Sequence, residues 1–154
     1  MNMKKSLVAG VALTMVASLG LAGCGSNGGV EKTEDGKIKI TMWHGFSEAD
    51  GKTLEGIVDD FNNSQDEYFI DAQLQPWSTI GETMVTKVTS GDGPDFVTTG
   101  ADNGQGWSLD GTFQCVTDFY DDPENETENY IPNVVDQITF DIDGSEAKCA
   151  VPMG

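Results

Sequence analysis

From residue 38 to residue 99 the hydrophobic residues switch repeatedly between a period of two and a period near 3.6, which restricts the fold more than any other feature. Residues 38–43 (IKITMW) alternate apolar and polar, as a strand does. Ser47 stands three residues before Asp50, a capping pair that opens a helix. Leu54, Ile57, Val58 and Phe61 then fall at i, i+3, i+4 and i+7, one apolar stripe, until Asn62-Asn63-Ser64 stops it. Residues 68–74 (YFIDAQL) put Ile70, Ala72 and Leu74 on one face of a second strand, which Pro76 ends. Ile80, Met84, Val85 and Val88 form a second helical stripe, terminated by Ser90-Gly91-Asp92-Gly93. Residues 95–99, after Pro94, make a third short strand. Strands joined through helices need right-handed crossovers, so the expected fold is α/β, a mainly parallel sheet flanked by helices. Ligands of such sheets lie beyond the carboxyl ends of the strands. Here those ends are Trp43-His44-Gly45-Phe46, Gln75-Pro76-Trp77 and Thr99-Gly100-Ala101-Asp102-Asn103. They include two of the three tryptophans.

Beyond residue 104 the periodicity weakens. Residues 105–110 read as a short helix. Two short apolar runs, 113–119 and 147–151, read as strands. The acidic stretch 118–128 reads as a solvated loop. Val134, Val135, Ile138 and Phe140 suggest a helix running into a turn at Asp143-Gly144. Cys115 and Cys149 lie in the two apolar runs. They are either a disulfide, closing a loop of about 35 residues and contributing roughly 3–4 kcal/mol, or two buried thiols.

The N-terminus reads as an address. Lys4 and Lys5 precede an uncharged apolar run, Leu7 to Ala22, too short for a comfortable membrane span and suited to a secretory signal. It ends Leu21-Ala22-Gly23-Cys24, which resembles a bacterial lipobox, with Cys24 as the lipidated thiol. Residues 1–23 are thus expected to be a signal peptide, and 24–36 a flexible polar tether. Residues 37–154 are expected to form the folded part, the N-terminal lobe of a larger domain. The expected location is the outer face of a cell membrane (extracellular or periplasmic), held by the lipid. The chain carries 26 acidic residues against 8 basic ones, a net charge of −18, and every basic residue is lysine. Such a surface excludes nucleic acid and polybasic membrane binding.

Aromatic faces beside carboxylates and amides suit carbohydrate, whose C–H bonds pack on rings while Asp or Asn fork two hydroxyls. Trp43, Trp77, Asp102 and Asn103 are such a set, with His44 beside them. Trp43 completes a strand, so core packing is equally open to it. Asp102 follows a Gly-Ala turn, so helix capping is open as well. His44 is the only histidine and has no nucleophile motif near it. No catalytic residue, metal site or cofactor is expected. Asp141–Glu146 has the composition of a calcium loop without EF-hand spacing, and an Asp-Gly turn explains it better.

Ile40-Thr41-Met42-Trp43-His44, Asp50-Gly51-Lys52, Phe61-Asn62, Ser90-Gly91-Asp92-Gly93-Pro94-Asp95 and Ala150-Val151-Pro152, in that order and after a lipobox, resemble extracellular solute-binding protein family 1. The resemblance covers roughly residues 38–154. It implies a periplasmic-binding-protein type II-like lobe, with the second lobe and the returning strands missing. It implies a monomeric, non-enzymatic receptor that captures a carbohydrate and delivers it to the permease subunits of an ABC importer. By the same resemblance Trp77 matches an aromatic ligand contact of glycerol-phosphate-binding relatives. Asp102 matches an acidic sugar contact of maltose-binding relatives. Asn103 replaces a basic neighbour, and Thr99 replaces a stacking residue, so the sugar pose differs. The lack of arginine favours a neutral sugar over a phosphorylated one. Two alternatives are a fragment that binds nothing and a receptor for a glycerol-phosphate-type ligand. A secreted hydrolase has less support, because no carboxylate pair is set apart by apolar surroundings.

Overall fold

The computed structural model describes residues 30–153. Cys24, the signal-peptide reading and the start of the tether lie outside the described residues. Strand β1 (Ile38–His44) leads through helix α1 (Glu48–Ser64) to β2 (Tyr68–Leu74). Helix α2 (Trp77–Ser90) returns the chain to β3 (Phe96–Val97), and α3 (Ala101–Leu109) follows. The sheet order is β2-β1-β3, and both pairings are parallel. β1 is the hub, and the expected mainly parallel sheet flanked by helices is what forms.

Strand alternation sends the two sides of β1 into two cores. Met42 packs with Leu54 and Val58 of α1, joined by Phe46, Ile70 and Ala72. Trp43 faces the other way, into Ile80 and Met84 of α2 and Trp107 of α3, with Val88, Val97 and Phe113 around them. The helices therefore cover opposite faces of a three-layer unit. The stripes are narrower than the sequence pattern suggests. Ile57 and Val85 stay 60% and 44% exposed, and Phe61 and Leu74 are also exposed. A sheet of three strands covers only a thin strip of each helix.

Ser47 occupies the N-cap position of α1, but its side chain makes no capping bond. At the other end of α1, Lys37 Nζ donates to the carbonyls of Asn62 (2.8 Å) and Gln65 (2.9 Å), placing a cation where the helix dipole is negative. Gly91 ends α2 in the left-handed region, φ 79°.

The outer edge of β2 is plugged by its own chain. Asn62 bonds both backbone groups of Ile70, accepting from its N–H (2.7 Å) and donating to its carbonyl (3.0 Å). Gln65 does the same for Tyr68, at 2.8 Å each way. On the inner side, the end of the expected tether is ordered against β1. Residues 33–37 turn, and Lys39 N donates to Glu31 O at 2.8 Å. Lys39 Nζ pairs with Glu31 and Asp71, and these bonds hold the ammonium pKa above its ordinary value.

The second half departs from the sequence reading. Residues 113–119 are not a strand, because Thr117–Asp121 is a short helix, α4. Two short 3-10 turns, Pro123–Asn125 and Thr127–Asn129, occupy the acidic stretch. The helix through Val134 stops early. α5 spans Pro132–Asp136, and Ile138 and Phe140 belong to the start of a hairpin, β4 (Thr139–Ile142) with β5 (Ser145–Lys148). Its turn is Asp143-Gly144, both at positive φ (53° and 83°), as a two-residue hairpin turn demands. Cys149 directly follows β5 and is disulfide-bonded to Cys115. Among the described residues no helix is long and apolar enough to cross a membrane.

Candidate ligand-binding edge

Because β1, β2 and β3 are parallel, their carboxyl ends share one edge of the sheet. The candidate residues gather there but divide into two kinds. Trp43 does not reach the surface. It is 8% exposed, its indole is packed in the core, and its Nε1 donates to Gln73 Oε1 at 3.1 Å. It belongs to the core rather than to a stacking surface. His44 is 3% exposed, on the α1 side of the sheet. Its Nδ1 has no hydrogen-bond partner. Thr98, the next residue past β3, is buried with an unpartnered hydroxyl. Thr98 N donates to Trp43 O, so His44 and Thr98 are register neighbours on one face. Two such unpartnered buried polar atoms on neighbouring strands are unusual in a folded interior.

Trp77, Asp102 and Asn103 remain open. Trp77 is not on a loop. It is the first residue of α2, with Pro76 at the N-cap position supplying a fixed φ of −56°. The residue is 46% exposed. Phe46 meets it edge-on, centroids 5.3 Å apart and planes at 90°. Phe46 in turn lies 6.4 Å from the His44 ring, at 21°. Gln75 N donates to His44 O (2.8 Å), which ties the loop before Trp77 to the end of β1. Asp102 and Asn103 are exposed in the first turn of α3. Asp102 Oδ1 leans back over Gly100, where a Cβ would come within 2.6 Å of it. No side chain caps α3 by hydrogen bonding, so Asp102 acts at most as a charge near its positive end.

Two cavities elsewhere, about 420 and 380 Å³, are lined by residues such as Tyr120, Glu128 and Lys148, or Ser108, Asp110 and Asp143. They contain none of the candidates. Among the described residues no cluster of histidine, cysteine or carboxylate side chains could hold a metal ion. Sequence reasoning missed Gly45 and Phe46 as neighbours of Trp77. The only signal was a Gly-aromatic pair directly after a strand end.

The fold is α/β, a small parallel sheet flanked by helices on both faces. No protein-family model matches the chain, and no curated protein does. Solved structures do. CpMnBP1 with mannotriose bound superposes with a TM-score of 0.63 at 17% identity, over 72% of this chain and 27% of that one. CpMnBP1 with mannobiose bound gives 0.61 at 18% identity, over 71% and 28%. A cyclic alpha-maltosyl-1,6-maltose binding protein from Arthrobacter globiformis gives 0.48 at 19% identity, over 71% and 27%. The chain thus spans about a quarter of the length of these proteins. At such identities the likeness is one of fold.

Proposed function

We propose that this chain is the N-terminal lobe of a carbohydrate-binding lipoprotein of an ABC importer. In this reading Trp77 stacks on the C–H face of a sugar, and Asp102 and Asn103 bond its hydroxyls. The main support is the half-exposed Trp77 at the carboxyl edge of the parallel sheet, on a fold shared with proteins solved holding mannotriose and mannobiose. The net charge of −18 and the lack of arginine favour a neutral oligosaccharide over a phosphorylated one. Residues 1–23 act as the signal peptide, Cys24 carries the lipid, and the protein works outside the membrane beside its permease. No residue is assigned a catalytic role.

One lobe offers half a cleft, without the closure that a second lobe contributes. The affinity of this chain by itself is therefore expected to be weak, roughly millimolar. The test is an NMR titration of the ¹⁵N-labelled chain with mannotriose and with glycerol phosphodiesters. The three indole N–H signals act as internal reporters. Mannotriose should move Trp77 and the amides of Asp102 and Asn103, and leave the buried Trp43 and Trp107 indoles still. Shifts with the phosphodiester alone, or none with any neutral oligosaccharide, would overturn the reading.

A further inference from the structure

We infer that Gly45 and Phe46 are positioning residues that hold the Trp77 indole as a one-sided platform. This rests on the carbohydrate reading of the same edge and deepens it. A Cβ at Gly45 would run into Cδ2, Cε2 and Cε3 of Trp77, so the fused bond of the indole lies flat on the Gly45 backbone. Gly45 is not among the residues at positive φ. Glycine is required there by the close approach of a ring, not by backbone conformation. Phe46 supplies the second restraint. Its ring is anchored in the α1 core with Met42, Leu54 and Val58, and its perpendicular contact stops the indole from sliding. The third restraint is the bond from Gln75 N to His44 O, which fixes the start of α2 against the end of β1.

Pinned on one face by a glycine, and braced at its edge by a phenylalanine, Trp77 is still 46% exposed. One flat apolar face is therefore left for a ligand. That arrangement selects a ligand with a flat C–H face, such as a pyranose ring lying parallel to the indole. It disfavours sandwiching between two rings at this position. Stacking is sensitive to sub-ångström placement, so a methyl group under the ring should be felt strongly.

The test uses Gly45→Ala, Phe46→Leu and Trp77→Ala with two readouts. The first needs no sugar. The Gly45 Hα resonances should carry an upfield ring-current shift that disappears in W77A and is reduced in F46L. Ordinary Gly45 Hα positions, unchanged in W77A, would refute the positioning. The second readout is mannotriose affinity. G45A should weaken it about tenfold or more in the wild-type background and less than about twofold in a W77A background. A loss of equal size in both backgrounds would mean a general structural effect and would refute the inference. So would an unchanged affinity in G45A. If mannotriose moves no resonance while the ring-current shift is present, the carbohydrate reading fails and the platform loses its role.

Discussion

Replacing Cys115 and Cys149 together by alanine should cost about 3–4 kcal/mol of stability without changing the native structure. The two residues are bridged across a sequence separation of 34. For a loop of about 35 residues the chain-entropy relation gives a constant part of about 0.6 kcal/mol and a length-dependent part of about 3.2 kcal/mol at 25 °C. The native arrangement around the bridge has its own bonds. Val116 N donates to Lys148 O (2.7 Å), Lys148 N to Thr117 Oγ1 (3.1 Å) and Cys149 N to Ile138 O (3.0 Å). The effect should therefore act through the unfolded chain, which gains freedom when the bridge is absent. Urea and thermal denaturation of the oxidised wild type, the reduced wild type and C115A/C149A measure it. The reduced protein and the double variant should coincide, about 15 °C lower in Tm than the oxidised protein. Their amide spectra should differ from the wild type only near the substituted residues. A loss below about 1 kcal/mol, or two titratable thiols in protein prepared under oxidising conditions, would refute the reasoning.

Three further outcomes follow from single features. Thr98→Val should be neutral or stabilising by up to about 1 kcal/mol, because it removes a buried hydroxyl with no partner at nearly constant shape. A clear loss in thermal denaturation would contradict that. N62A/Q65A should free the outer edge of β2 and produce concentration-dependent dimers in light scattering; a strictly monomeric variant would argue against the plug. The Asp110 carboxyl should titrate below its ordinary 3.8, since Thr112 bonds it through side chain and backbone. Its folded pKa is depressed, so its contribution to stability is present above the unfolded value and lost as pH falls through the folded one. NMR titration of Asp110 at or above 3.8 would contradict this.

The βαβαβ half of the fold was legible because period two and period 3.6 differ sharply over segments this long. Ile80 and Met84 were readable as core for that reason, and they are the most deeply buried side chains. Ile57, Phe61 and Val85 were over-read, since a helical stripe does not reveal how many strands lie beneath it. The second half was harder. Val134, Val135 and Ile138 are spaced as a helix, while the hairpin that follows is mostly polar and is declared only by Asp143-Gly144. At the candidate edge, parity alone could have sent Trp43 inward, because both faces of a parallel strand are covered. The contact between Gly45 and Trp77 joins the ends of two different strands, and no local pattern records it.

The short return of the N-terminal segment onto β1 has a mechanical consequence. Any tension applied through the N-terminus reaches this return before it reaches the sheet. Its holds come in sequence: Glu31 on Lys39, the bridge between Lys32 and Ile38, then the turn from Thr33 to Lys37. A pull peels them one at a time, each against a small force. β1 behind them is bonded along its whole length to β2, and near its carboxyl end to β3. A pull on the N-terminal segment therefore loads these few bonds before it loads the β1–β2 ladder.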